Sequence, residues 1–208
     1  MLCALLFQPV YKESIWGGNA LSRFGKKLPQ DDFIGESWEI STLEPYFPTV
    51  AQGPYCGCTL PQLLQTHGPD LLGRKLPSSD FPLLVKFLDA KRSLSLQVHP
   101  AAPQGKAESW YILSAHPGAQ VACGKKEGVT AATLSQRLAQ GQAEDCFRYF
   151  PARPGDLFFI PPGIPHSLGA GIVAVEVEQN ADCTYRLFDY NRKDAAGRLR
   201  PLQVAKAL

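Results

Sequence analysis

Apolar and polar residues alternate over short stretches along most of the chain, and glycine or proline cuts each stretch off. Residues 93–99, Ser-Leu-Ser-Leu-Gln-Val-His, show the pattern most clearly. Leu94, Leu96 and Val98 fall on one side of an extended chain. Ser93, Ser95, Gln97 and His99 fall on the other, because successive side chains leave a strand on opposite faces. Pro100 and Pro103 end this strand. Residues 3–10 read as a first strand, and Ile15-Trp16-Gly17-Gly18 as a turn with an aromatic anchor. Pro29-Gln30-Asp31-Asp32 reads as a loop. Gly35–Ser41 alternates again, with Glu36, Trp38 and Ile40 on one face. Residues 44–58 hold three prolines and two glycines and read as irregular. Leu60, Leu63, Leu64, Leu71 and Leu72 predict a helix broken near Gly68-Pro69. Phe81–Leu88 is a nearly continuous apolar run, short enough for a buried strand, with Lys86 inside it.

Further strands are expected at Trp110–Leu113, Ala119–Cys123, Phe147–Phe150, Leu157–Ile160, Ile172–Gln179 and Thr184–Tyr190. The strand at 172–179 places Glu176 and Glu178 on the face of Ala174. Thr130, Leu134 and Leu138 predict a helix within 127–146, with Thr133 or Ser135 as its cap. That helix reads as an insertion over the mouth of a barrel. Many short strands, few helices and no strand–helix–strand alternation predict an all-β fold with a small helical insertion. The expectation is a single jelly-roll domain over residues 1–208.

Composition narrows the classes. With 208 residues, 45% apolar and 19% charged, the chain can bury a full core and is not largely disordered. A net charge of +2, without a block of like charges or interleaved aromatics, gives no reason to expect nucleic acid. The six cysteines are scattered, and Cys56-Gly-Cys58 has neither zinc-ribbon nor thioredoxin spacing. The first residues lack the basic start of a signal peptide, and no apolar run reaches membrane-span length. A cytoplasmic protein with reduced thiols is the expectation.

Candidate chemistry gathers on the polar side of the 93–99 strand. Gly105 opens a turn after it, and Lys106 and Glu108, two apart, share a face if the segment is extended. His166 follows later in Pro-Pro-Gly-Ile-Pro-His-Ser. Gln97, His99, Glu108 and His166 are a nitrogen and oxygen donor set suited to a divalent metal such as zinc. A half-exposed strand with surface or hydrogen-bonded core histidines fits the same residues. For Lys86 the competing reading is a side chain that snorkels from a strand end.

Six motifs in order carry a family resemblance. They are Gly35-Glu36-Ser37-Trp38-Glu39-Ile40-Ser41, Phe81-Pro82-Leu83-Leu84-Val85-Lys86-Phe87-Leu88-Asp89-Ala90, Leu94–Pro100, Gly105-Lys106-Ala107-Glu108, Gly163-Ile164-Pro165-His166 and Thr184-Tyr185-Arg186. Together, from about Trp16 to Leu208, they resemble the type I mannose-6-phosphate isomerases, a cupin family. The resemblance implies a cupin jelly-roll barrel with one zinc on Gln97, His99, Glu108 and His166. It implies interconversion of mannose 6-phosphate and fructose 6-phosphate through an enediolate. Arg186, Lys106 and Asp182 fall on catalytic positions, and Lys86, Ser95 and Glu176 on substrate-binding ones.

The sequence departs from the family pattern in three places. Gln179-Asn180-Ala181-Asp182 keeps Asp182 but changes its flank, and Ala101-Ala102-Pro103 replaces the acidic residues usual after His-Pro. The family continues into a further, smaller β domain, whereas this chain stops at Leu208. A short form of this kind is expected to leave a barrel face uncovered and to form a homodimer. Two other classes share the pattern: a sugar-phosphate-binding cupin without catalysis, and a metal-dependent cupin oxygenase, which has no use for a phosphate anchor.

Overall fold

The computed structural model describes residues 4–29, 33–73, 75–76, 81–101 and 105–208. The expected loop at Gln30–Asp32, the first residue of the expected opening strand, and the Ala102-Pro103 flank lie outside them. In chain order the elements are β1 (Phe7–Gln8), β2 (Val10–Gly18), a 3-10 turn (Ala20–Phe24), β3 (Ile34–Ile40), β4 (Thr49–Val50) and α1 (Leu60–Leu72). Next come β5 (Leu83–Ala90), β6 (Leu96–Val98), β7 (Glu108–Ala115), β8 (Gln120–Lys125) and α2 (Ala131–Ala139). A 3-10 turn (Ala143–Cys146), β9 (Phe147–Pro151), β10 (Leu157–Ile160), β11 (His166–Leu168), β12 (Ile172–Gln179), β13 (Tyr185–Phe188) and α3 (Val204–Ala207) complete the chain.

A six-stranded sheet in the order β10-β7-β12-β5-β3-β2 faces a five-stranded sheet in the order β13-β6-β11-β8-β9. Every strand pairing is antiparallel. The result is the expected jelly roll, as two facing sheets that are not hydrogen-bonded into one closed ring. Among the described residues no helix is long and apolar enough to cross a membrane.

The inward face changes character along each strand. On β7 it runs from Ile112 and Trp110 to Glu108. On β5 it runs from Ala90 and Leu88 to Lys86, and on β12 from Ile172 and Ala174 to Glu176 and Glu178. All of these residues are buried. The apolar halves join Val121, Ile160 and Leu168 in the main core. Their burial supplies the driving force, at about 25 cal/mol per Å² of apolar surface. The ionic halves meet at the other end of the sandwich, where Lys86, Glu108 and Glu176 line a cavity. One period-two pattern per strand therefore builds both the core and the polar chamber.

Four expectations need correction. Ile15–Gly18 is not a turn but the end of β2. Gly17 is there for close approach, since a Cβ on it would overlap the backbone of Phe33, Ile34 and Gly35. The cap of α2 is Thr130, whose side chain accepts from the Thr133 backbone N–H, rather than Thr133 or Ser135. That helix is not over the cavity: none of residues 127–146 lines it. Instead Leu134 packs with Leu96, Ala122, Phe147 and Leu187 on the outer side of the five-stranded sheet, where Ala207 of α3 joins it. The 93–99 strand is also shorter than its alternation suggests, with ladder pairing only from Leu96 to Val98. The break in α1 falls at His67, beside the expected Gly68-Pro69. A Thr59–Gln62 capping box starts that helix.

Candidate active site

Register places the site residues side by side. On the five-stranded sheet Arg186, Gln97 and His166 are consecutive cross-strand partners from β13, β6 and β11. On the six-stranded sheet Trp38, Lys86, Glu176 and Trp110 form one row, and Glu178 and Glu108 the start of the next. The two sheets face each other across a cavity of about 460 Å³. Of the residues singled out from sequence, Lys86, Ser95, Gln97, Lys106, Glu108, Glu176, Asp182 and Arg186 line it. His99 and His166 lie against Glu108 and are buried. The surface-histidine reading is therefore excluded.

The two imidazoles are oriented alike. His99 Nδ1–H donates to the Cys183 carbonyl at 2.9 Å, and His166 Nδ1–H donates to the Ile164 carbonyl at 2.7 Å. Each bond fixes the tautomer and leaves an Nε2 lone pair facing inward. His99 Nε2 stands 2.9 Å from Glu108 Oε2, and His166 Nε2 stands 3.1 Å from Glu108 Oε1. The Gln97 amide is 3.3 Å from His166 Nε2. Four donors thus converge on one buried spot. An inward lone pair against a carboxylate oxygen is repulsive unless a proton or a metal cation lies between them; burial works to lower the His166 imidazole, yet Glu108 raises it above its ordinary value. The ligand atoms of His99, Glu108 and His166 lie within 4.8 Å of one another, a cluster that fits a divalent metal. Turned end for end, the Gln97 amide presents Oε1 and lets Ser95 Oγ, 3.2 Å away, accept from Nε2. Burial lowers the His99 imidazole below its ordinary value, with Glu108 opposing. Burial also works to raise the Glu108 carboxyl, yet His166 and His99 hold it well below the usual range.

Beside this cluster runs a chain of alternating charge. Lys12 Nζ lies 3.4 Å from Glu36 Oε1, and Glu36 Oε2 lies 3.8 Å from Lys86 Nζ. Lys86 Nζ is 3.0 Å from Glu176 Oε2 and 2.6 Å from Glu178 Oε1, and Glu178 Oε2 pairs with Lys106. Trp110 and Trp38 donate indole N–H groups to Glu176 and Glu36, each at 2.8 Å. Lys86 does not snorkel: it is buried among three carboxylates. Burial would lower its ammonium, but Glu176, Glu178 and Glu36 raise it well above its ordinary value. Burial, then Glu176, push Glu178 up to about 7 against both lysines.

The opposite wall is rich in guanidinium groups. Arg186 donates from Nε to Ser95 Oγ at 3.3 Å and from Nη1 to the Pro201 carbonyl at 3.0 Å. Arg200, from the segment returning past β13, lines the same cavity. Burial and the neighbouring Arg200 both lower Arg186. Asp189 does not pair with Arg186; it is held by Arg192 and by both Nε and Nη2 of Arg200, at 2.7 and 2.6 Å. Sequence reasoning missed Arg200, Glu36 and Lys12 as lining residues. The alternation of β3 put Glu36 on a face with Trp38, whereas nothing local marks Arg200.

Comparison with known proteins adds the family. A family model described as phosphomannose isomerase type I, catalytic domain, matches residues 5–124. The chain belongs to this family. It is 40% identical over 213 residues to mannose-6-phosphate isomerase ManA of Bacillus subtilis, covering 98% of this chain and 66% of that protein. The chain therefore spans just under two thirds of that relative's length. The crystal structure of the mannose 6-phosphate isomerase from Bacillus subtilis superposes with a TM-score of 0.89 at 38% identity, over 98% of this chain and 67% of that one. A crystal structure of mannose 6-phosphate isomerase described as holo and zinc-bound shares the fold at a TM-score of 0.70 and 16% identity, over 98% and 73% of the two chains. The isomerase family model takes in Gln97, His99, Lys106 and Glu108 but ends before His166, Glu176, Asp182 and Arg186. The second half of the candidate site rests on the folded geometry.

Proposed function

We propose that this isomerase-family chain holds one zinc ion through Gln97, His99, Glu108 and His166 and interconverts mannose 6-phosphate and fructose 6-phosphate. The observation that carries the reading is the buried cluster of His99, Glu108 and His166, whose ligand atoms lie within 4.8 Å of one another with both Nε2 atoms turned to the carboxylate. Zinc, when bound, supplies a Lewis acid for the negative charge that develops on the sugar oxygens. The protein groups do the rest. Isomerisation removes the proton from C2 of the open-chain aldose and returns one to C1, through an enediolate. Asp182 presents a carboxylate to the cavity and acts as base. Lys106, held by Glu178, donates to the sugar oxygens. Arg186 keeps part of its planar fork for the enediolate or the phosphate.

Charge bookkeeping orients the substrate. Lys12, Lys86 and Lys106 are balanced by Glu36, Glu176 and Glu178, so that wall has no net charge for a dianion. At the other end Arg186 and Arg200 line the cavity, and Arg200 shares the carboxylate of Asp189 with Arg192. The phosphate therefore belongs at the Arg186–Arg200 end, with Ser95 as hydroxyl donor, rather than on Lys86. Lys86 and Glu176 instead form the wall beside the sugar. The test is a coupled assay with mannose 6-phosphate on zinc-loaded and chelated protein. Turnover that disappears on chelation and returns with zinc supports the reading. Absence of turnover in zinc-loaded protein overturns it, and binding without turnover would make the cavity a sugar-phosphate receptor.

A further inference from the structure

Glu178 is buried with no side-chain exposure and does not line the cavity. Its two oxygens nevertheless each hold a different lysine that does: Oε1 holds Lys86 at 2.6 Å and Oε2 holds Lys106. The backbone beside Lys106 is tied to the same strand end. The Gln179 N–H donates to the Ala107 carbonyl at 3.0 Å, and the Ala107 N–H donates to Gln179 Oε1 at 2.8 Å. On its other side the segment is packed against Pro100, where a Cβ on Gly105 would overlap the Pro100 carbonyl. Lys106 is thus clamped to β12 by main chain and side chain together.

The register explains what the clamp prevents. Glu178 and Glu108 are direct cross-strand partners, and both are buried. Like charges directly opposite each other on a sheet are destabilising unless each has its own counter-charge. Glu108 faces the two imidazoles, and Glu178 faces the two lysines. If Glu178 lost its charge, Lys106 would lose the carboxylate that holds it and leave its place in the cavity wall.

We propose that Glu178 is a positioning residue that sets where the Lys106 side chain enters the cavity. The proposal rests on the isomerase reading for its consequence in turnover, but not for the position of Lys106. Glu178→Gln keeps the shape of the side chain and removes the charge. Two measurements are made on zinc-loaded, folded protein. The first is labelling of lysines by an amine-reactive ester, read by mass spectrometry against the exposed Lys193. The second is kcat and KM with mannose 6-phosphate.

Lys106 labelling is expected to change by about fivefold or more, and kcat to fall about tenfold or more with KM within about threefold. Glu178→Asp, which keeps the charge, should recover part of kcat. A role confined to stability would lower the thermal midpoint without that pattern of loss and recovery. Unchanged Lys106 labelling overturns the proposal, as does unchanged kcat in a wild type that turns over. Should Glu178→Gln not fold, the same two readouts on Glu178→Asp decide: a shorter carboxylate must still alter Lys106 labelling. If wild type does not isomerise while the labelling responds as expected, the isomerase reading fails and the positioning role stands.

Discussion

Replacing Arg186 with lysine separates a substrate-binding role from a structural one. The guanidinium makes two intramolecular hydrogen bonds, from Nε to Ser95 Oγ at 3.3 Å and from Nη1 to the Pro201 carbonyl at 3.0 Å. Lysine has a single nitrogen and can recover one of them. The net loss is one hydrogen bond, worth about 1 kcal/mol. For a chain of this size that lowers the thermal midpoint by about 2–4 °C. No ion pair is lost with it, because Asp189 is held by Arg192 and Arg200. The catalytic cost is larger. Arg186 lines the cavity, and a lysine anchored at Ser95 or Pro201 cannot also bind two oxygens of the substrate. Loss of one positioned stabiliser of developing charge costs about 100-fold or more in kcat, or about 2.7 kcal/mol. The assay is kcat by coupled turnover, beside the thermal midpoint and zinc content of Arg186→Lys. A folded, zinc-loaded variant with near-normal kcat would refute the substrate role. So would a midpoint loss above about 10 °C with unchanged kcat in the folded fraction, which would assign Arg186 to the scaffold.

Gly17→Ala should cost at least about 2 kcal/mol, because the added methyl meets the backbone of β3 rather than a movable side chain; urea unfolding of the variant checks this, and an unchanged midpoint contradicts it. Asp189→Asn should destabilise the protein by about 2–4 kcal/mol at neutral pH, since it removes a buried carboxylate shared by two arginines. Burial alone would raise the Asp189 carboxyl, but hydrogen bonds from Arg200 and Arg192 lower it below its ordinary value. Its stabilisation is thus complete above its unfolded pKa, near 3.9, and disappears as pH falls through the lower folded value. Denaturant midpoints of wild type and Asp189→Asn should converge below about pH 4, and parallel curves would contradict the assignment. Leu157 and Phe159 of β10 are 66% and 62% exposed and adjoin exposed Tyr111 on the outer face of the six-stranded sheet. Sedimentation should show self-association that Phe159→Ser weakens, and a monomer at high concentration would count against it.

The chamber was legible because it lies on strands. Glu176 and Glu178, Lys86, and Gln97 with His99 all sit on period-two stretches, so their faces could be read before their partners were known. The pairing between strands was not legible. That Lys86 meets Glu176 depends on the register of residues 90 positions apart, and the same distance in sequence made snorkelling a reasonable expectation for it. Glycine was ambiguous in the same way. At Gly17 it marks a close approach of two strands, yet alone in a sequence it resembles a turn. Arg200 was invisible because it enters from an irregular return segment, where no periodicity links a residue to a face. The helix at Ala131–Ala139 was legible as a helix, but its docking on the back of the five-stranded sheet depends on Leu134 finding Leu96 and Leu187, contacts distant in sequence.

Metal content tests the central claim most directly. Purified wild type, His99→Ala and His166→Ala should be folded by circular dichroism and measured by elemental analysis after dialysis against metal-free buffer. The account predicts about one zinc per wild-type chain and a loss of most of it in each variant, because each removes one of four donors around Glu108. Zinc content unchanged by both substitutions, or a wild type that binds none when zinc is supplied, would contradict it.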